Sequence, residues 1–161
     1  MTVKEIVDVC SALLTPLIAV IATYIAYQQY RVSELTLKKE LYERRIKIYG
    51  VFESYFNEIM QGGGQIKPDR VARFYSEAIK SEFLFNSQVV NKVKELCDKG
   101  IKLSYLYNKI CSFNSSQENI QPKERACISE EHLELLRWFD QQAKETRALL
   151  KDQISIQKKR F

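Results

Sequence analysis

The residues with the widest chemical reach in this chain are one histidine, four cysteines and a run of three glycines. His132 lies in SEEHLELL, where acidic neighbours favour the imidazolium; the sequence offers it no nucleophile or metal partner, so an exposed or capping histidine is expected. Cys10, Cys97, Cys111 and Cys127 form no CxxC pair, and zinc needs thiolate or imidazole ligands clustered at short spacing. They read as buried, reduced thiols of a cytosolic domain. The stretch GGGQIK at 62–67 lacks the GxxxxGK[ST] spacing of a phosphate loop, and no GxSxG elbow occurs. Three glycines before a helix start could cradle an anion, but a connector is the plainer expectation. Glu130 and Glu131 are adjacent, point apart on a helix and make a poor acid–base couple. No catalytic residue, metal ligand or cofactor emerges, and an enzyme is not expected.

The remaining chemistry is cationic. Arg44 and Arg45 are candidate contacts for an anion or a lipid phosphate, as are Lys158, Lys159 and Arg160 at the C-terminus. The net charge is +5, with acids interleaved among the bases, as in ELYERR and KVKELCDK. That interleaving marks solvated helix faces rather than a footprint, so no extended nucleic-acid binding is expected.

What must position these residues begins with the stretch VCSALLTPLIAVIATYIAY, 9–27. No charge falls between Asp8 and Arg31, an interval long enough for a helix to cross a bilayer core of about 30 Å at about 1.5 Å per residue. The preceding TVKEIVD is not the basic leader of an export signal, so a retained transmembrane helix is expected. Lys4, Glu5 and Asp8 precede it, and Arg31, Lys38, Lys39, Arg44, Arg45 and Lys47 follow. The charge bias puts the N-terminus outside and the remainder in the cytosol. Tyr24, Tyr27 and Tyr30 suit the inner headgroup region, and Pro16 a kink that Thr15 helps to satisfy.

Within the run, Ala12, Thr15, Ala19, Ala22 and Ala26 recur at steps of three and four, a small-residue seam suited to close helix association and hence to a homo-oligomer. Polar Thr23, Gln28, Gln29 and Ser33 are candidates for a polar or pore-facing lining.

The fold class expected is all-α. A first domain, 1–30, is the anchor; a second, 31–161, is a cytosolic bundle of about four helices, with 61–68 and 112–128 as loops. The first helix continues to about Met60, with Leu41, Ile48, Phe52, Tyr55 and Ile59 on its apolar face, and the glycines end it. A second helix places Val71, Phe74, Tyr75, Ala78, Ile79 and Phe83 inward after Pro68. Asn86-Ser87 caps a third whose buried face includes Val93, Leu96, Ile101 and Leu106, with a bend at Gly100. Ser129 caps a fourth, with Leu133, Leu136, Trp138 and Phe139 among its apolar positions.

The stretch LLTPLIAVIATYIAYQQYRVSELTLKKELYERRIKIYGVF resembles the start of small, uncharacterised bacterial single-pass inner-membrane proteins. Their signature K-x-x-L-[FY]-[ED]-[KR]-R-x-x-[IV]-Y would fall here on Lys38, Leu41, Tyr42, Glu43, Arg44, Arg45, Ile48 and Tyr49; SEFLF at 81–85 and LELLRWFDQQAKETR at 133–147 are further points of likeness. The resemblance implies a bacterial inner-membrane location and a cytosolic helical domain, and supplies no catalytic residue. Two functions follow as expectations. One is a membrane-anchored, self-associating interaction or scaffold module contacting lipid and protein. The other is a gated membrane effector, of the kind used in antiviral defence, whose cytosolic domain senses a nucleotide or protein signal.

Overall fold

The computed structural model describes residues 3–115 and 122–159, and within them every side chain except those of 3–7, 9–11, 13, 15, 114–115 and 156–159. Among the described residues there are four α-helices, one 3₁₀ helix and no strand: α1 (Val3–Gln61), α2 (Pro68–Ala78), the 3₁₀ helix (Ile79–Phe83), α3 (Ser87–Ser115) and α4 (Pro122–Lys159). The chain divides into two compact units, Met1–Leu41 and Tyr42–Phe161.

In the first unit, every described side chain from Ala12 to Leu37 is exposed. A membrane-spanning segment was expected here, yet among the described residues no helix is long and apolar enough to cross a membrane. The uncharged run at 9–27 includes Val9, Cys10, Ser11, Leu13 and Thr15, whose side chains lie outside the described set.

The second unit closes around aromatic rings. Phe52, Phe56 and Ile59 of α1, Phe74 of α2, Leu96 and Leu103 of α3 and Phe139 and Leu150 of α4 are all nearly or fully inaccessible. Tyr55 and Phe74 stack with centroids 3.9 Å apart and planes within 9°. Phe52 meets Phe74 edge-on at 5.3 Å, and Phe139 meets Tyr55 edge-on at 6.3 Å. Such rings bring large apolar area together with geometric preference, so the three helices they come from are held in one arrangement. The Tyr55 hydroxyl donates to the Leu96 carbonyl at 3.3 Å. Gly100 makes room for it: a Cβ there would run into the Tyr55 hydroxyl. The glycine expected to bend α3 instead admits a neighbouring helix, and α3 runs on through it.

Several expectations are corrected. Phe83 is 87% exposed rather than buried, because α2 tightens at Ile79 into a 3₁₀ turn. At about 120° per residue instead of 100°, five residues of 3₁₀ helix shift the facing by most of a quadrant. The amides of Leu84 and Phe85 both donate to the Ser81 carbonyl, at 3.0 and 2.8 Å. Leu84 and Phe85 pack against the core while Phe83 faces out. Leu41, Tyr75, Ile101 and Leu133 are exposed, and Ile128, His132 and Leu135 take buried places. The loop expected at 112–128 is largely helix: α3 reaches Ser115 and α4 begins at Pro122, with Pro at its start and Glu124 in its first turn. Ser129 therefore lies inside α4 and is not its cap. Asn86, by contrast, caps α3 as expected, its Oδ1 accepting from the Val89 amide at 3.3 Å.

Candidate functional site

Arg44, Lys47, Ile48 and Val51 are spaced i, i+3, i+4 and i+7, which puts them along one face of α1. Opposite them stand Glu77 of α2 and Lys80, Phe83 and Leu84 of the 3₁₀ turn and its exit, enclosing a groove of about 650 Å³. The floor is apolar, made by buried Ile48 and half-buried Val51 and Leu84; the rim carries three cations and one carboxylate, with Phe83 standing free at its edge. Such a site suits an anionic group joined to an apolar body. Among its lining residues Glu77 is the one carboxylate, and there is no serine, cysteine or histidine.

The two arginines of the ERR motif part company. Arg44 is exposed on the rim. Arg45 turns inward: its Nη1 donates to the Gln153 carbonyl at 3.2 Å, and its guanidinium lies 5.2 Å from the Phe85 ring centroid. Burial holds its pKa below the usual guanidinium value. Arg45 thus ties α1 to α4, and Arg44 is the one of the pair placed to meet a ligand. The side chains of Lys158 and Lys159, and all of Arg160, lie outside the described residues.

In the first unit, Ala12, Ala19, Ala22 and Ala26 are exposed, like every other described side chain of that stretch, while the Thr15 side chain is outside the described set. Two of the four candidate lining residues are occupied locally. Thr23 donates to the Ala19 carbonyl at 2.8 Å, and Gln28 Nε2 to the Tyr24 hydroxyl at 2.9 Å. Gln29 and Ser33 are exposed.

The triple glycine is a helix stop, not an anion cradle. The amides of Gly62, Gly63, Gly64, Gln65 and Ile66 all donate to backbone carbonyls, so none is offered to a ligand. Gly63 and Gly64 have φ of +55° and +88°, and Gly64 is buried against His132. His132 is correspondingly buried rather than exposed, and its Nε2 has no hydrogen-bond partner. Burial depresses its pKa, the reverse of what its acidic sequence neighbours suggest: the ring is desolvated, while Glu130 and Glu134 are exposed and Glu131 pairs with Lys102.

Cys97 is buried, and burial with the nearby Asp98 charge pushes its thiol up to about 11, which makes it inert at neutral pH. Cys111 and Cys127 are exposed, against expectation. Among the described residues no group of histidine, cysteine or acidic side chains could hold a metal ion. Across the bundle, Arg147 forks onto Glu53, Nε to Oε1 at 2.6 Å and Nη2 to Oε2 at 2.7 Å. This hydrogen bonding lowers the Glu53 pKa and raises that of Arg147.

Lys47, Lys80, Glu77 and Phe83 were not legible as a site in the sequence, since the groove depends on the 3₁₀ phase shift. Fold and site together define an all-α protein with a cationic, apolar-floored groove. No family model, curated protein or solved structure matches the chain.

Proposed function

We propose that this protein is a membrane-anchored interaction module: the apolar segment at 9–27 holds it in a bilayer, and the helical bundle on the cytosolic side receives an anionic, partly apolar partner in the Arg44–Lys47–Lys80 groove. The observation that carries the reading is the exposure of Leu14, Leu17, Ile18, Val20, Ile21 and Ile25 on one helix without an intervening charge. Soluble proteins rarely leave so large a contiguous apolar surface to water, and hydrocarbon is the solvent that suits it. The bias of Lys and Arg to the C-terminal flank supports an N-out orientation. The scaffold reading is preferred to the gated effector because the Thr23 hydroxyl donates to the Ala19 carbonyl of its own helix rather than toward a shared aqueous axis.

The test is extraction of bacterial membranes carrying the full-length chain. Alkaline carbonate should leave the protein in the pellet, and Ile21→Arg with Ile25→Arg should release it. Wild-type protein in the carbonate supernatant would overturn the anchor.

A further inference from the structure

The same exposed stretch of α1 carries a second regularity. Leu14, Ile21, Gln28 and Leu35 recur every seven residues, and Ile18, Ile25, Val32 and Lys39 recur every seven in the alternate position. The steps between successive members are four, three, four, three, the a/d pattern of a left-handed coiled coil, with Ile18, Ile25, Val32 and Lys39 at a and the other four at d. All eight are exposed, and the six aliphatic ones each by about half or more.

We infer that this face, from Leu14 to Lys39, pairs with the same face of a second copy of the chain in a parallel two-stranded coiled coil. Four observations identify the occupant. The repeat is 3.5 residues per turn and holds for more than three heptads. On a straight helix such a row drifts by about 20° per heptad, so a flat lipid surface or a fixed groove does not select it, whereas a supercoiling helix of the same period does. β-Branched residues fill three of the four a positions and Leu half of the d positions, the combination that favours two parallel strands. Beyond the uncharged run, Val32 and Leu35 stay exposed among Arg31, Glu34 and Lys38, where hydrocarbon is no longer the natural cover. Finally, Ile25, Gln28, Gln29 and Val32 bound a surface cleft. They are the i, i+3, i+4 and i+7 set that receives a d-position knob in such a pair.

The seam is distinct from the row Ala12, Ala19, Ala22 and Ala26, which falls at the b and e positions of this register. Gln28 at d and Lys39 at a supply two polar layers that fix the register between identical strands. The parallel orientation rests on the proposed anchor, since every copy inserted into one membrane by the same segment points the same way.

The experiment is disulfide crosslinking of the full-length chain in native membranes. The background carries Cys10→Ser, Cys111→Ser and Cys127→Ser, leaving only the buried, unreactive Cys97. Single cysteines then replace Leu35 at d, Ser33 at b and Leu37 at f, positions two residues to either side on one exposed stretch. Under mild oxidation Leu35→Cys should give at least about fivefold more disulfide-linked dimer than the other two, because only seam positions bring Cβ atoms toward the ~3.5–4.5 Å that a disulfide needs. Preferential crosslinking of Ser33→Cys would place the small-residue row at the interface and overturn the inference, as would equal yields at all three positions or none at Leu35. Val32→Cys, at a, repeats the test should Leu35→Cys fail to accumulate. Carbonate extraction of the same samples separates the two readings: crosslinking at Leu35 in protein that washes off the membrane keeps the pairing and removes the anchor.

Discussion

Gly64→Ala sets the glycine turn against α4. Gly64 sits at φ +88°, where an L-residue costs about 1–2 kcal/mol. A Cβ built there would lie 2.5 Å from His132 Nε2, 2.9 Å from Cε1 and 3.3 Å from Leu136 Cδ2. His132 is buried on α4, so its ring cannot swing clear into solvent, and forcing an extra methyl against it adds about 1–3 kcal/mol of overpacking. Gly64→Ala should therefore destabilise the bundle by about 2–5 kcal/mol, a large share of the roughly 5–15 kcal/mol typical of a domain. The two contributions separate in a double-mutant cycle. In a His132→Ala background the steric part disappears and only the backbone part remains, so the double variant should be about 1–3 kcal/mol more stable than the two single losses add up to. The assay is urea unfolding in a fixed concentration of mild detergent, followed through Trp138, the sole tryptophan, which packs edge-on to Phe139 at 5.0 Å. Additivity within about 0.5 kcal/mol would refute the close approach of loop and imidazole.

His132 also sets an acid sensitivity. Its folded pKa lies below the ordinary value of about 6.5, so below that pH the unfolded chain takes up the proton first, and stability falls as the pH drops from 6.5 toward the folded pKa. His132→Gln should flatten this part of the pH–stability profile measured by urea midpoint. The Glu53–Arg147 fork contributes in a lower window: Glu53 titrates below its usual range in the fold, so its stabilisation is complete above the unfolded carboxylate pKa and is lost as the pH falls through the depressed one. Glu53→Gln should cost about 1–2 kcal/mol at pH 7, less than a fully buried pair because both partners are partly solvated, and should remove that acid limb. Gly100→Ala should destabilise through the Tyr55 hydroxyl, and Tyr55→Phe in the same chain should restore much of the loss; thermal unfolding by circular dichroism checks both. Replacing Arg44, Lys47 and Lys80 together by Gln should leave the urea midpoint unchanged while weakening cosedimentation with vesicles containing anionic lipid, and unchanged cosedimentation would count against the groove.

Much of the helical plan was legible because its punctuation is local. Gly62–Gly64 ends α1, Pro68 opens α2 and Asn86 caps α3, each through the geometry of a residue or its immediate neighbours. Positions such as Phe52, Phe74, Leu96 and Phe139 follow from the 3.6-residue period alone. What stayed hidden depends on partners distant in sequence. Whether Arg45 faces solvent or the Gln153 carbonyl is decided 108 residues away. His132 reads as acidic-flanked and exposed until the glycine turn closes over it. The polar segments either side of 116–121 read as loop because a helix with few apolar residues has little periodicity to show, although Ile128 anchors one of them in the core. The groove escaped notice because a 3₁₀ turn changes the phase of the side chains that follow it, and composition does not announce where an α-helix tightens.

The linked rings of Phe52, Phe74, Tyr55, Phe139 and Trp138 have a consequence for motion. Tyr55 is stacked on Phe74, met edge-on by Phe139 and held at its hydroxyl by α3, so a half-turn of the ring requires its neighbours on α2, α3 and α4 to give way. Flipping of that ring should be slow on the chemical-shift timescale, with separate resonances for its two edges. A disturbance arriving at the groove would then be relayed by displacement of the bundle as a solid body rather than by internal softening.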